Sequence, residues 1–372
     1  METVSEHRRL THTKTEAAEH VPPQALSPRL GAVARAFALK PFVPHPLFPG
    51  PHAQTIVSSK HFPRRRAFRE ESALYESRVF EVEPGTSVLL KCRWQGERRA
   101  APTLLLLHGL EGSTESLYVL GTAQKAYRRG FNVVGMNMRN CGGTENLAAT
   151  LYHSGMTEDI RRVILAELVG RERLPEIYLA GFSMSGNMVL RLAGDYGAEP
   201  PGALKGVAAV SPSIDLDSCA AALERRGNAL YRWNFVKHLR ERVRRKGRLR
   251  PGAYDTRRLR RVRTIREFDE HFTAPHGGYR DAADYYARTS SRPVIGRIRV
   301  PTLVIHALDD PLIPAEPFLD APIADNPDVL LVLTHRGGHV GFLSDRAEGE
   351  DRHWAENRLV EFFTRLRGWD GE

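Results

Sequence analysis

A serine at the junction between an apolar run and a helical pattern is the clearest candidate for a catalytic nucleophile. The segment GFSMSGN (181–187) occupies that junction. A nucleophile elbow requires such a strand–turn–helix context, with small residues two positions before and two positions after the serine. Gly181 and Ser185 meet this requirement for Ser183, whereas Asn187 would follow Ser185 at the second position. The pattern predicts Ser183 as the nucleophile, and a structural turn is the alternative interpretation.

An acid and a histidine further along the chain could complete a charge relay with this serine. Asp309 and Asp310 follow one apolar run, and His339 follows another within a glycine-rich stretch. In such a relay the histidine takes the proton of the nucleophile, and the acid orients the histidine. We predict that Asp310, which precedes a proline, orients His339 and that Asp309 is a turn residue.

A further motif, HGLEGS (108–113), directly follows the apolar run TLLLL (103–107). A loop in this place can supply one backbone N–H to the oxyanion of a tetrahedral intermediate, and the residue after the nucleophile can supply the other. These positions assign the oxyanion hole to the N–H groups of Leu110 and Met184. A glycine-rich turn without a catalytic role is the alternative.

The elements that must position these motifs alternate between strand-like and helix-like patterns. Because the strand-like runs are short and apolar, the chain predicts an α/β fold with a mostly parallel sheet and helices on both faces. The predicted strands are 79–83, 87–94, 103–107, 131–137, 177–181, 204–211, 301–307 and 329–335. The predicted helices are 115–129, 157–169 with Thr157 as its cap, 184–195 and 351–367.

Residues 214–290, here called the lid insert, interrupt this alternation with a mostly helical pattern. We expect the insert to lie over the carboxyl edge of the sheet, where ligands bind in this architecture. Within it, residues 225–266, the basic segment, hold 17 Lys and Arg against two acids, although the whole chain has a net charge of only +10. The excess positive charge therefore belongs to the insert.

The basic segment has two interpretations. One is peripheral contact with an anionic membrane, since Lys and Arg near such a surface are attracted to its lipids. The other is a solvated helical face whose arginines pair with acids elsewhere on the chain. A nucleic-acid partner is not expected, because the sequence has no recognised nucleic-acid-binding module.

Together these motifs resemble the YheT-like esterase family (AB hydrolase 4 type) of the α/β-hydrolase superfamily. Ser185 stands where that family has glycine, and Asn140 and Gly142 alter another of its motifs. The matching pieces are PHAQTI (51–56), LHGLEGS (107–113), MNMRNCGG (136–143), YHSGMTED (152–159), GFSMSGNM (181–188), FDEHFTAPHGGY (268–279), DYYARTSS (284–291), PTLVIHALDDP (301–311) and GGHVGF (337–342).

The resemblance implies the α/β-hydrolase fold, with Ser183, Asp310 and His339 as the catalytic triad. The chain then divides into a polar N-terminal tail and docking arm (1–40) and an α/β-hydrolase domain (41–372) that contains the lid insert. The expected reaction is hydrolysis of a carboxylic ester through an acyl-enzyme. By analogy with the family, the substrate is a short- to medium-chain acyl ester or a lipid ester.

Two alternatives to this function remain open. An acyltransferase would use the same triad with an alcohol acceptor in place of water, and the two reactions share the acyl-enzyme. A non-catalytic protein of the same fold would bind its partner through the basic segment. The sequence leaves the oligomeric state undetermined.

Composition narrows the setting in which the protein acts. The sequence shows no metal-ligand motif, no G-x-G-x-x-G and no phosphate-binding loop, so no metal or other cofactor is expected. The three cysteines are widely spaced and odd in number, which argues against a disulfide framework and favours the reducing cytoplasm. No apolar run approaches a membrane span, and the N-terminal residues lack the apolar core of a secretory signal.

Overall fold

A computed structural model of the chain describes residues 24–60, 64 and 73–369. Most of the predicted N-terminal tail lies outside these residues. The docking arm is described from residue 24 onward, where a helix over Pro28–Ala38 buries Leu30, Val33 and Phe37.

One eight-stranded sheet forms the centre of the structure, in the order β1-β2-β4-β3-β5-β6-β7-β8. The first two strands form an antiparallel hairpin, and β2 also pairs antiparallel with β4. The strands β3 to β8 run parallel to their neighbours. Their bounds are Glu76–Glu83 (β1), Thr86–Arg93 (β2), Thr103–Leu107 (β3), Asn132–Asn137 (β4), Ile177–Phe182 (β5), Leu204–Val210 (β6), Thr302–Ala307 (β7) and Val329–Thr334 (β8).

Helices pack on both faces of this sheet, so the predicted α/β architecture is confirmed. Their bounds are Pro28–Ala38 (α1), Pro51–Lys60 (α2), Leu117–Arg128 (α3), Thr157–Arg162 (α4), Met184–Tyr196 (α5), Leu216–Glu224 (α6), Ala229–Leu249 (α7), Ile265–Phe268 (α8), Ala274–Gly277 (α9), Ala282–Thr289 (α10), Ala321–Ala324 (α11) and Trp354–Arg367 (α12). Two π-helical segments, Val163–Arg171 and Asp269–Thr273, continue α4 and α8.

The core has two apolar layers, because successive side chains of a strand point to opposite faces of the sheet. In β3, Leu105 and Leu107 belong to the layer that also contains the apolar residues of α5 and of the lid insert. Leu104 and Leu106 belong to the layer formed with α1, α3 and α12. The central strands are buried on both faces, which explains why their sequences are continuous apolar runs.

The prediction that Thr157 caps a helix is wrong. Thr157 is the first helical residue, and Met156 occupies the cap position without a side-chain hydrogen bond. The helical pattern predicted to reach residue 169 changes from α to π geometry at Val163. Apolar periodicity alone does not distinguish these two geometries over so short a stretch.

The lid insert consists of α6 to α10 with short 3₁₀ and π segments between them. Its helices bury apolar residues against the layer that contains α5. Across residues 24–60, 64 and 73–369, every helix is too short or too polar to span a bilayer.

Candidate active site

Ser183 sits at a sharp turn between β5 and α5. Its backbone has φ 56° and ψ −119°, a conformation that residues other than glycine rarely adopt. Gly181 is required nearby, because a Cβ there would lie 2.3 Å from the carbonyl oxygen of Ser185. The turn thus has the strain and the close approach of a nucleophile elbow.

Ser185, the residue that departs from the glycine of related chains, has a structural position in this elbow. Its side chain is buried, and its Oγ accepts a hydrogen bond from the N–H of Phe182 at 2.8 Å. The same Oγ lies 2.9 Å from the carbonyl oxygen of Leu107, to which it donates. The hydroxyl therefore ties the elbow to the end of the neighbouring strand, and it is not available as a nucleophile.

His339 and Asp310 meet Ser183 at the carboxyl edge of the sheet. The Nε2 of His339 lies 2.9 Å from the Oγ of Ser183, and its Nδ1 lies 2.9 Å from Oδ2 of Asp310. The other carboxylate oxygen of Asp310 accepts hydrogen bonds from the N–H groups of Leu312 and Ile313. The structure thus brings together the three residues that the sequence assigned to the triad.

The charge state of Asp310 suits an acid that orients a histidine. Burial on its own raises the pKa of this carboxyl, but the charge of His339 and the hydrogen bond from it outweigh burial. The net effect lowers the pKa of Asp310 below its ordinary value. Asp310 is therefore ionised at neutral pH and can stabilise an imidazolium at His339.

Asp309, the predicted turn residue, has a hydrogen-bond partner other than His339. Its Oδ1 accepts a hydrogen bond from the N–H of Gly338 at 2.9 Å, and burial raises the pKa of its carboxyl. Asp309 therefore supports the loop that carries His339, whereas Asp310 contacts the imidazole itself.

The segments that carry the two predicted oxyanion donors adjoin the nucleophile. A Cβ on Gly109 would lie 3.1 Å from the Cβ of Ser183, so the backbone preceding Leu110 passes close to the nucleophile. Met184 is the first residue of α5, where backbone N–H groups and the helix dipole favour negative charge. Within the described part of the chain, neither the N–H of Leu110 nor that of Met184 donates a hydrogen bond.

Helix α2, which contains the PHAQTI motif, holds the histidine loop in place. The N–H of His339 donates to Oγ1 of Thr55 at 2.9 Å. Gln54 is buried and bonds Leu343 twice, as a donor to its carbonyl oxygen and as an acceptor from its N–H. The residues of this motif do not by themselves indicate such a role. Its position almost 300 residues before the loop left no local signal of the contact.

An apolar cavity opens beside Ser183 and His339, and the lid insert supplies much of its wall. Tyr285 attaches the insert to the body, since its hydroxyl accepts a hydrogen bond from the N–H of Ser154 at 2.9 Å, and both Tyr285 and Tyr286 line the cavity. The apolar lining from the insert comprises Leu216, Cys219, Leu223, Phe235, Leu239, Ile265 and Phe268.

One acidic group lies in the wall that the lid insert supplies. Asp269 is buried, and burial raises the pKa of its carboxyl to about 6. The hydroxyl of Tyr286 donates to its Oδ2 at 2.7 Å. No sequence signal distinguished Asp269 from the other acids of the insert.

The basic segment also contacts the loops that carry the site. Asn228, at the start of α7, donates through its amide to the carbonyl oxygen of Pro311 at 2.6 Å. Further along the same helix, Arg242 and Lys246 are buried rather than exposed. Part of the basic segment is therefore internal to the protein.

The described residues contain no group of three or more His, Cys, Asp or Glu side chains that could hold a metal ion.

Fold and site together define a serine-hydrolase arrangement on a mostly parallel sheet, and comparison with known proteins identifies the family. The model of the alpha/beta hydrolase fold family matches residues 102–345. The chain is 33% identical over 332 residues to the Escherichia coli (strain K12) protein named Putative esterase YheT, a match that covers 87% of this chain and 93% of that protein. The chain belongs to the α/β-hydrolase family, and the predicted resemblance is confirmed.

Two further similarities are informative. The chain is 27% identical over 337 residues to Medium-chain fatty acid ethyl ester synthase/esterase 2 of Saccharomyces cerevisiae (strain ATCC 204508 / S288c), covering 83% of this chain and 72% of that protein. Among solved structures, the Pyrococcus furiosus esterase Pf2001 matches with a TM-score of 0.54 at 18% identity, over 80% of this chain and 92% of that one. The structural match supports the fold, and the names of both relatives refer to ester hydrolysis.

Proposed function

We propose that this protein hydrolyses carboxylic esters through an acyl-enzyme on Ser183. The observation that carries the proposal is the continuous relay from Ser183 through His339 to Asp310, with both hydrogen bonds at 2.9 Å. A hydroxyl is a weak nucleophile until an adjacent base can take its proton. The relay supplies that base and holds it in one orientation.

In the first half of the reaction, the Oγ of Ser183 attacks the ester carbonyl carbon while Nε2 of His339 takes the hydroxyl proton. The carbonyl oxygen becomes an oxyanion that the N–H groups of Leu110 and Met184 stabilise. The tetrahedral intermediate then collapses. His339 gives its proton to the departing alkoxide, and the acyl group remains on Ser183.

In the second half, water replaces the alcohol and His339 acts as the base again. The attack of water on the acyl-enzyme produces a second oxyanion in the same hole, and collapse releases the carboxylic acid and restores the Ser183 hydroxyl. Asp310 stays ionised throughout and stabilises the imidazolium that forms in each half.

The cavity favours an apolar acyl or alkyl group as the part of the substrate that binds beside Ser183. Its wall from the lid insert is mainly aliphatic and aromatic, so binding removes apolar surface from water. We therefore propose short- to medium-chain acyl esters or lipid esters as the substrate class. The lid insert is then the element that sets chain-length selectivity.

Covalent labelling tests the nucleophile directly. We expect a fluorophosphonate probe to modify Ser183, with the adduct located by mass spectrometry of the labelled peptide. Ser183→Ala should lose both labelling and ester hydrolysis. Ser185→Gly is the matched control, since it restores the family residue and should keep both. An adduct on another residue, or full labelling of Ser183→Ala, would refute the assignment.

A panel of p-nitrophenyl esters tests the substrate class. We expect kcat/KM to rise with acyl length until the chain fills the cavity and to fall for longer chains. Replacing Leu239 by Trp, which fills part of the lining, should shift this optimum to a shorter chain. An optimum that ignores both acyl length and this variant would contradict the proposed acyl-binding role of the cavity.

Acyl transfer to an alcohol is the second candidate, and one similarity favours it. The Saccharomyces cerevisiae relative carries both synthase and esterase in its name. An alcohol that reaches the acyl-enzyme in place of water would give an ester product by the same steps. Analysis of products with added ethanol separates the two reactions, because a transferase makes ethyl ester in preference to free acid.

We also propose that the exposed part of the basic segment brings the enzyme to anionic lipid surfaces. A groove on the outer side of α7 is lined by Trp233 and by five cations, and Trp233 is 63% exposed. These cations are Arg232, Lys237, Arg240, Arg244 and Arg263. An exposed indole among cations suits the boundary between headgroups and acyl chains.

Vesicle co-sedimentation tests this membrane proposal. We expect binding to anionic vesicles at low salt, weaker binding at high salt, and a loss in the Arg232→Gln/Lys237→Gln variant. Arg128→Gln/Arg129→Gln is the matched control, because it removes the same charge from helix α3 and its C-cap on the other layer of the core. Absence of binding at low salt, or equal losses in both variants, would exclude this surface as the membrane contact.

A further inference from the structure

A buried ion pair connects the lid insert to the loop that carries the oxyanion hole. Arg242 of α7 contacts Glu111 through two hydrogen bonds, from Nε to Oε1 at 2.9 Å and from Nη2 to Oε2 at 3.0 Å. Both side chains are almost completely buried, with 6% and 7% of their surface exposed. Paired fork-like contacts of this kind fix geometry as well as charge.

Glu111 directly follows Leu110, the predicted oxyanion donor of this loop. Its own backbone has φ 57°, in the left-handed region that a glutamate adopts only when its surroundings hold it there. The Tyr152 hydroxyl accepts a hydrogen bond from the N–H of Glu111 and donates one to its Oε1, both at 2.8 Å. The backbone and the carboxylate of Glu111 are thus held together by one hydroxyl.

Arg242 reaches beyond Glu111 to the other contacts of this loop. It donates to the carbonyl oxygen of Asn140, and its guanidinium lies 5.1 Å from the centre of the Tyr152 ring. A single lid residue therefore contacts the carboxylate, the tyrosine that holds it and the neighbouring loop after β4.

We propose that Arg242 is a positioning residue for the oxyanion hole, acting through Glu111 to set the direction of the Leu110 N–H. The inference rests on the proposed esterase function. Oxyanion donors stabilise the transition state only when they point at the position that the developing charge will occupy. Arg242 makes that alignment depend on the docked position of α7, so the lid insert takes part in catalysis as well as in substrate binding.

The test replaces Arg242 by Lys, which keeps a positive charge beside Glu111 but cannot form the two parallel contacts. Arg245→Lys is the matched control on the same helix. Arg245 pairs with Glu145 at 2.9 Å in a more exposed position, and in the described part of the chain neither side chain forms a hydrogen bond with Glu111. Circular dichroism and thermal unfolding check that both variants fold.

Two inhibitors of equal alkyl length separate positioning from a general loosening of the site. A trifluoromethyl ketone forms a tetrahedral adduct when the Ser183 hydroxyl adds to its carbonyl carbon, and the adduct oxygen occupies the oxyanion hole. The matching primary alcohol occupies the cavity without forming an adduct. We expect Arg242→Lys to lower kcat/KM by about 10- to 100-fold and to lower the affinity for the ketone by a similar factor. The alcohol should bind within about threefold of its affinity for the wild type, and Arg245→Lys should leave all three values within about threefold.

The proposal fails if the folded Arg242→Lys variant keeps the wild-type kcat/KM and ketone affinity. It also fails if the variant binds the ketone and the alcohol more weakly by the same factor. Where Arg242→Lys does not fold, the double variant Arg242→Gln/Glu111→Gln carries the same test, because it leaves no unpaired buried charge. The esterase proposal fails on different results: if the wild-type protein does not hydrolyse esters, or if the Ser183→Ala variant still does.

Discussion

The sheet edge and the lid insert face the same cavity, but different interactions hold them. At the sheet edge, apolar strands bury their side chains on both faces, a strained turn presents Ser183, and the loops after two further strands carry Asp310 and His339. The lid insert also buries apolar side chains in the layer that contains α5. In addition, buried polar contacts attach it to distant parts of the chain, among them the pair of Arg242 with Glu111 and the bond from Asn228 to Pro311. Local patterns therefore build one wall, and contacts between distant residues place the other.

Two buried carboxylates show the same contrast in electrostatic terms. Glu356 of α12 lies beside Arg64 and Lys125; burial raises its pKa, but these cations outweigh burial and lower the pKa to about 2. Asp269 of the lid insert faces the apolar cavity, and burial raises its pKa to about 6. The body pairs its buried acid with cations, whereas the lid insert leaves its acid beside a tyrosine hydroxyl.

The largest expected effect is at the sheet edge, where two adjacent acids have separate roles. Asp310→Asn should lower kcat/KM by roughly 10⁴-fold, because the amide no longer holds His339 in the required tautomer. Asp309→Asn should cost less than about 10-fold, since the amide oxygen can still accept from the N–H of Gly338. Initial rates on one p-nitrophenyl ester decide it. Equal losses would show that the two acids share the orientation of the histidine.

The next effect concerns the paired carboxylate of the body. Glu356→Gln should lower the free energy of unfolding by about 3 kcal/mol at pH 7, since Arg64 and Lys125 lose their buried partner. The folded-state pKa of about 2 lies below the ordinary 4.5, so this stability is complete above pH 4.5 and is lost as pH falls toward 2. Urea unfolding should show the difference from wild type shrinking below pH 4.5, and a difference that grows there would contradict the assignment.

The unpaired carboxylate of the lid insert should behave in the opposite way. The folded-state pKa of Asp269, about 6, lies above the ordinary 3.8. The contribution of the protonated carboxyl to the free energy of unfolding is therefore complete below pH 3.8 and is lost as pH rises through 6. Asp269→Asn, whose amide oxygen can still accept from Tyr286, should therefore be more stable than wild type at pH 8 by about 2 kcal/mol. The two proteins should unfold alike near pH 4. A variant that is less stable at pH 8 would show that the charged form is stabilised.

The smallest effect tests how firmly the lid insert holds the acid loop. Asn228→Ala removes the donors to the carbonyl oxygens of Ala222 and Pro311 and should lower the free energy of unfolding by about 1 kcal/mol. Because Pro311 follows Asp310, we also expect kcat to fall by less than about 10-fold. An unchanged free energy of unfolding together with an unchanged kcat would mean that this contact is dispensable. The position of the lid insert would then depend on the contacts of Arg242 alone.

The sequence allowed prediction of the features that follow from local pattern. The strands were predicted from apolar runs, and the elbow from small residues around Ser183, because burial and strain restrict which residue types fit. Thr157 failed as a cap because the turn before it gives the cap position to Met156, a residue without a capping side chain. The contacts of Thr55 with His339 and of Arg242 with Glu111 join residues 284 and 131 positions apart, which no local pattern reports.

The burial of Arg242 and Lys246 could have been predicted, because the sequence contains a local signal for it. Val236, Leu239 and Val243 mark the buried face of α7 at helical spacing. Arg242 and Lys246 follow Leu239 at three and seven positions, so they share that face. A count of positive charges alone does not show that these two residues face inward.

The place of α2 in the chain affects how the protein can be divided. A fragment that begins at β1 would contain Ser183, Asp310 and His339 and would span the whole region matched by the family model, yet it would lack Gln54 and Thr55. We expect such a truncation to lose an ordered histidine loop, together with the core contacts of α1 and the pairing of Arg64 with Glu356. The same dependence makes this part of the chain a candidate for split-protein design: a separately supplied segment containing residues 24–64 would restore turnover to the shortened chain, making hydrolysis a reporter of fragment association.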